Sequence, residues 1–219
     1  CKNEFPAGRG RICYECSCFN RLTKKISMLN LFLSKFTNLF FEQFTWWLTK
    51  RKGVEYSSNF IQKYFIFFYK IDLLANTLNK FPTYLDLLEH FKVSFTRKYL
   101  LVMIFFNEYK LISIDKKIKE LYSNLNIIDS YLSHFNKNSS EYLIINSYYK
   151  YLQEKYLSNK TTKRSIRLSL TPVVKLLEYK KYFNTSKLND NIINGYLWIY
   201  SGQKCALTGF INYLNKRFN

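Results

Sequence analysis

Apolar residues recur at helical spacing through most of the chain. Leu29, Phe32, Phe36, Leu39, Phe40, Trp47 and Leu48 trace one helix from about Lys24 to Lys50, with these side chains assigned to a core. Lys50-Arg51-Lys52 suits the negative end of a helix, and Gly53 follows as a stop. A second apolar run covers residues 58–79 and is broken by Phe81-Pro82. Thr83 with Asp86 reads as a capping box and opens a helix to about Phe91. Another helix is predicted over Ser94 to Asn107, offering Tyr99, Leu100, Met103, Ile104 and Phe106 to the core. Asp115 can cap a helix over Lys116–Asn124, and Ile127–Phe135 follows.

Asn136-Lys137-Asn138-Ser139 is a polar break, after which Ser140 opens a long helix from Glu141 to Ser158. Asn159 to Ser165 is a polar, basic loop. Thr171-Pro172 carries the two residues favoured at a helix start, which predicts a helix from there to about Phe183. Leu188 to Asn194 reads as a short helix stopped by Gly195, and Ser201-Gly202 opens a last one through Lys216. In that last helix Ala206, Phe210, Tyr213 and Leu214 are assigned inward, and Lys204 and Lys216 outward. No stretch alternates as a strand does, and no internal repeat is present. The fold expected is mostly all-α and multi-helix, with any strand confined to the cysteine-rich start. The segments divide as 1–20, a cysteine-rich piece; 21–138, a helical domain; and 139–219, a second helical domain.

Charge changes the picture. The 219 residues carry 34 Lys+Arg against 15 Asp+Glu, a net +19, which attracts nucleic acid or an anionic surface. The chain is also crowded with Asn, Ile, Tyr and Phe, a mix that an AT-rich genome favours and that raises Lys everywhere. The excess is nevertheless uneven: residues 1–20 carry +1, 21–52 carry +6, 53–159 only +3, and 160–219 carry +9. That asymmetry points to function near the N-terminus and at the C-terminus. The most apolar run, Met28 to Leu48, is interrupted by Lys35, Glu42 and Gln43, so it is not read as a spanning helix. A cytoplasmic protein without a membrane partner is expected. The chain starts at Cys1, which suggests a fragment.

Cys13 and Cys16 form C-x2-C, and Cys1 lies twelve residues earlier across the turn-rich Pro6-Ala7-Gly8-Arg9-Gly10. Two cysteine pairs joined by such a loop make a zinc ribbon, because tetrahedral Zn²⁺ takes four thiolates and each tight knuckle supplies two. One ligand is missing if Cys1 closes a first knuckle whose partner precedes the visible start. The alternative set is Cys1, Cys13, Cys16 and Cys18. Four clustered cysteines fit a structural Zn²⁺ in a reducing compartment better than a disulfide scaffold.

For binding, Lys163, Arg164 and Arg167 are the best candidate phosphate contacts, since Arg in a basic loop can hold phosphate oxygens in bidentate fashion. Lys180, Lys181, Lys204, Lys216 and Arg217 are weaker ones. Gln203 and Asn212 could read base edges. Cys205 is assigned as a buried small residue, and His90 to a helix C-terminus. No paired carboxylates or nucleophile–base pair stand out, so catalysis by this chain is not expected.

The segment GYLWIYSGQKCALTGFINYLNKRF resembles the end of the helical core-binding region of tyrosine-recombinase integrases of the phage type. There a Gly-Gln turn leads into an Ala-Leu-x-x-Phe helix just before the catalytic domain. RLSLTPVVKLLEY resembles the preceding helix, and GRGRICYEC the N-terminal cysteine ribbon of some of these integrases. The resemblance implies a chain ending in a small helical (SAM-like) core-binding domain after a short zinc-ribbon-like segment. It implies that this domain sits on one face of double-stranded DNA, with a homo-oligomer assembling there. It also implies a catalytic domain beyond Asn219, which closes the clamp and cuts and rejoins DNA when a mobile element integrates. The family's H-x-x-R spacing is absent here: Val93 follows His90 and Lys137 follows His134 at that distance. Two other classes stay open: a non-enzymatic zinc-ribbon nucleic-acid-binding regulator or accessory protein, and a peripheral membrane protein using Met28–Leu48.

Overall fold

The computed structural model describes residues 12–183, 185 and 187–218. Among them there is no strand; the order is ten α-helices with one 3₁₀ turn. The all-α expectation therefore holds. The chain divides after Asp115 into two compact units. This boundary differs from the expected break near residue 138. The helix that follows Asp115 carries Ile128 into the second unit's core, which assigns it to that side.

The first unit contains α1 (Tyr14–Asn30), α2 (Lys35–Lys52), α3 (Val54–Leu78), α4 (Tyr84–Lys98) and α5 (Leu100–Glu108). The single helix expected from Lys24 to Lys50 is two helices. The break comes from a residue far away in sequence. Asp72, buried in α3, takes the Ser34 backbone N–H at 3.0 Å and the hydroxyls of Ser34 and Thr37 at 2.5 Å each. Ser34 in turn caps α2 by accepting from the Thr37 N–H. Three donors satisfy this buried carboxyl group, and it fixes a helix start where periodicity alone shows none.

The register shifts across that break, so much of the expected stripe faces out. Phe32, Phe36 and Leu39 are exposed, whereas Phe41, Phe44, Trp47 and Leu48 are buried. The core is largely aromatic, with Phe44 meeting Tyr64, Phe68 and Phe105 at centroid distances of 5.3, 5.3 and 5.5 Å. Tilted and edge-on pairs of this kind add to the gain from area burial. Gly53 joins α2 to α3 at φ +86, a conformation that glycine tolerates and side chains rarely adopt. The capping box of Thr83 and Asp86 forms as expected. The backbone leaves helical geometry at Lys92, close to the predicted end at Phe91.

The second unit contains α6 (Lys116–Ser133), α7 (Ser140–Leu157), α8 (Lys163–Lys181), α9 (Asp190–Ile199), the 3₁₀ turn Ser201–Gln203 and α10 (Lys204–Phe218). Helix α8 is central and packs against α6, α7, α9 and α10. Its inner arc is Ile166, Leu170, Val173, Leu176 and Leu177, all fully buried, at the three- and four-residue spacing of one helix face.

Two sequence expectations fail here. Thr171-Pro172 is no helix start: α8 begins well before it, where the Thr162 side chain accepts from the Ser165 N–H. The continuous apolar arc carries the helix through the proline, although an interior proline forfeits a backbone hydrogen bond and costs about 3 kcal/mol. Gly195 stops nothing either; α9 runs through it. Its lack of a side chain serves packing instead, because a Cβ there would sit 3.1 Å from the Tyr179 hydroxyl.

Candidate nucleic-acid interface

The candidate site lies on the outer arc of α8. Residues 164, 167, 171, 175, 178 and 182 recur at three- and four-residue steps, so Arg164, Arg167, Thr171, Lys175, Glu178 and Tyr182 share one face opposite the buried arc. From Arg164 to Lys175 this stripe spans about 16 Å at 1.5 Å per residue. Arg164 is well exposed, and its Nη1 lies 3.7 Å from Glu120 Oε1 across to α6. A surface pair of this length contributes little and leaves the guanidinium free to exchange partners. Lys175 is exposed and Arg167 half-buried.

Lys163 stands at the edge of the stripe. Its Nζ donates to Gln153 Oε1 at 2.9 Å and sits 4.2 Å from the centre of the Tyr156 ring. Burial of the amine pushes its pKa below the usual lysine value. Lys181 is exposed and rests 4.8 Å from the centre of the Phe135 ring. Lys204 and Lys216 are exposed at opposite ends of α10, about 18 Å apart along its axis. They do not form one patch with each other. The Arg217 side chain lies outside the described residues.

Lys180 is a correction. It falls on the inner arc of α8 and is fully buried. Its Nζ donates to Glu141 Oε1 at 2.6 Å, Ser140 Oγ at 2.9 Å and the Thr185 carbonyl at 2.7 Å. Its three donors are used inside the unit, so it is a strut and not a phosphate contact. Burial opposes the charged form of Glu141, but the hydrogen bond and charge of Lys180 outweigh it and hold the carboxyl below its usual range. Cys205 is also corrected, since it is exposed, and so is its neighbour Ala206; Leu207 takes the inward place. His90 Nδ1 lies 2.9 Å from the Asp86 carbonyl within α4, a local structural role.

The cysteine-rich start is helical from Tyr14. Cys13 caps α1, its Sγ accepting from the Cys16 N–H at 3.4 Å. That backbone N–H lowers the Cys13 pKa, while the hydrogen bond with Cys13 raises that of Cys16. N–H donation to sulfur within C-x2-C suits half of a zinc knuckle. Cys18 does not suit it. Two residues along a helix from Cys16, it projects from the opposite side, is buried, and receives Arg21 Nη2 at 3.3 Å. Among the described residues no three of His, Cys, Asp and Glu come together to hold a metal ion. Cys1, and with it most of the expected 1–20 segment, lies outside the described residues.

Sequence reasoning misses a cleft beside the stripe. Lys175, Glu178, Tyr179 and Tyr182 of α8 and its C-terminal cap face Tyr196, Tyr200 and Gln203 around a space of about 360 Å³. Tyr196 forms its buried floor, with ring centres 5.6 Å from Tyr179 and 4.9 Å from Tyr200. The only signal for it in the sequence is Gln203. Nineteen tyrosines spread along the chain conceal the four that the fold assembles.

No family model, no curated protein and no solved structure matches the chain. No helix among the described residues is long and apolar enough to cross a membrane.

Proposed function

We propose that the chain is the DNA-binding, non-catalytic part of a site-specific tyrosine recombinase of a mobile element, holding duplex DNA through its second unit. The observation that carries this reading is the row of Arg164, Arg167 and Lys175 on the outer face of α8. It belongs to a unit with 17 Lys and Arg against 6 Asp and Glu. Clustered cations gain by releasing the counterions condensed on DNA, a gain that isolated surface charges do not share. The likeness of residues 160–219 to a core-binding region supplies the family. Cys13 and Cys16 provide half of a structural zinc site in the first unit, with Cys1 on the same ion. The protein works in the cytoplasm, and copies of it assemble side by side on the duplex.

Fluorescence anisotropy with a labelled duplex, titrated with salt, tests the reading. The expected result is affinity that falls steeply with salt. Arg164→Ala, Arg167→Ala and Lys175→Ala should each flatten the log–log salt slope by about 0.9 for every phosphate no longer neutralised. Binding to anionic vesicles in place of duplex would favour the membrane-surface alternative. Absence of duplex binding at low salt refutes the proposal.

A further inference from the structure

We infer that the tyrosine cleft beside the stripe receives an unpaired base of the bound DNA. This rests on the DNA-holding reading and names a feature of the DNA that the cationic row alone would not select. The occupant is argued from three observations.

The cleft first has the right chemistry for a base. Its walls are aromatic, with Tyr196 in ring contact with both Tyr179 and Tyr200, and Tyr182 at the rim. Every base has a π-face that such rings can stack on, whatever its sequence. Gln203 brings an amide that can both donate to and accept from a base edge. At about 360 Å³ the space lies at the small end of ligand pockets.

The cleft is also continuous with the cations. Lys175 belongs both to the cationic row and to the cleft wall, and Tyr182 extends the same helix face further along. A phosphate backbone following Arg164, Arg167 and Lys175 is thereby led to the cleft. Glu178, the one acid in the wall, has its Oε1 2.9 Å from His134 Nε2.

Two of the rings, finally, are not spent on the core. Tyr182 is 85% exposed and Tyr200 52% exposed. Gly195 lets α9 approach closely enough to bring Tyr196 against Tyr179. The result is a cleft with a buried aromatic floor and open aromatic walls, which a duplex with every base paired would leave empty.

The test uses the whole chain and two labelled duplexes that differ only in a single unpaired thymine, one fully paired and one carrying that bulge. The bulged duplex should bind about tenfold tighter, since stacking one base on an aromatic side chain supports a preference of that order. Tyr200→Ala should erase the preference while leaving affinity for the paired duplex and its salt slope unchanged, and Tyr182→Ala should erase the preference too. Tyr182→Phe should keep the preference. Arg164→Ala should weaken both duplexes equally. As a second readout, 2-aminopurine at the bulge should be quenched on binding by the parent chain and not by Tyr200→Ala. Equal affinity of the parent chain for both duplexes overturns the inference and leaves the DNA-holding proposal standing. Failure to bind either duplex removes both. If the tyrosine variants instead change only the sedimentation coefficient, a second copy occupies the cleft and the inference falls.

Discussion

Replacing Lys180 by methionine should destabilise the second unit strongly and reverse the pH dependence of its stability. In the parent chain the fully buried ammonium sits 2.6 Å from Glu141 and also serves Ser140 and the Thr185 carbonyl. Removing one partner of a buried ion pair strands the other charge, at a cost of about 3–5 kcal/mol. Glu141 has a depressed folded-state pKa. Its contribution is thus complete above the ordinary carboxylate pKa and is lost as pH falls through the folded value. Without Lys180, burial dominates at Glu141 and raises its pKa. The variant should then be least stable at neutral pH and recover as pH falls and the carboxyl protonates. Urea denaturation followed by circular dichroism at about pH 7.5 and about pH 5 measures both. The double variant Lys180→Met with Glu141→Leu should regain most of the stability, because an apolar pair of similar volume can replace a buried ion pair. A destabilisation below about 1 kcal/mol, typical of exposed pairs, would refute the strut assignment. So would a Lys180→Met variant that folds normally but binds duplex poorly.

Two further outcomes follow from the first unit. Gly53→Ala should cost about 1–3 kcal/mol in chemical denaturation, wholly through backbone strain, because nothing lies within 4 Å of the added Cβ and only φ +86 opposes it. A neutral result would mean that the connection between α2 and α3 relaxes. In metal analysis of the purified chain, Cys13→Ser and Cys16→Ser should each lower zinc content while Cys18→Ser leaves it intact, because Cys18 faces the core and Arg21. Equal falls from all three would place Cys18 among the ligands.

Features fixed by neighbouring residues are legible in the sequence. The Thr83–Asp86 capping box, the glycine after Lys52 and the long helix after the polar break at residues 136–139 depend on interactions a few positions apart, and each forms. Features set by distant residues are not legible. The division of α1 from α2 is made by Asp72, which no local rule couples to Ser34. Thr171-Pro172 satisfies the local rule for a helix start, yet the apolar arc of α8 overrides it. Gly195 suggests a stop by its φ freedom, whereas its value lies in the space it leaves for Tyr179. In the candidate site, Arg164 and Arg167 lie on the outer face as their charge suggests, but charge alone does not distinguish Lys180, which the helical phase places inward. The tyrosine cleft is invisible in the sequence because its side chains, from Lys175 to Gln203, come together only once α9 folds back on α8.

Helix α8 carries its core arc and the row proposed to bind DNA on separate sides. Ile166, Leu170, Val173 and Leu177 hold the unit together, while Arg164, Arg167 and Lys175 stand outside that core. An exposed residue of that arc such as Lys175 can be exchanged at little more than the cost of helix propensity, a few tenths of a kcal/mol. A preference carried by the exposed cations of the proposed interface is therefore free to drift by single substitutions at little cost to folding. Related chains should diverge fastest along the outer arc and keep the inner one nearly fixed, so that recognition evolves on an unchanging frame.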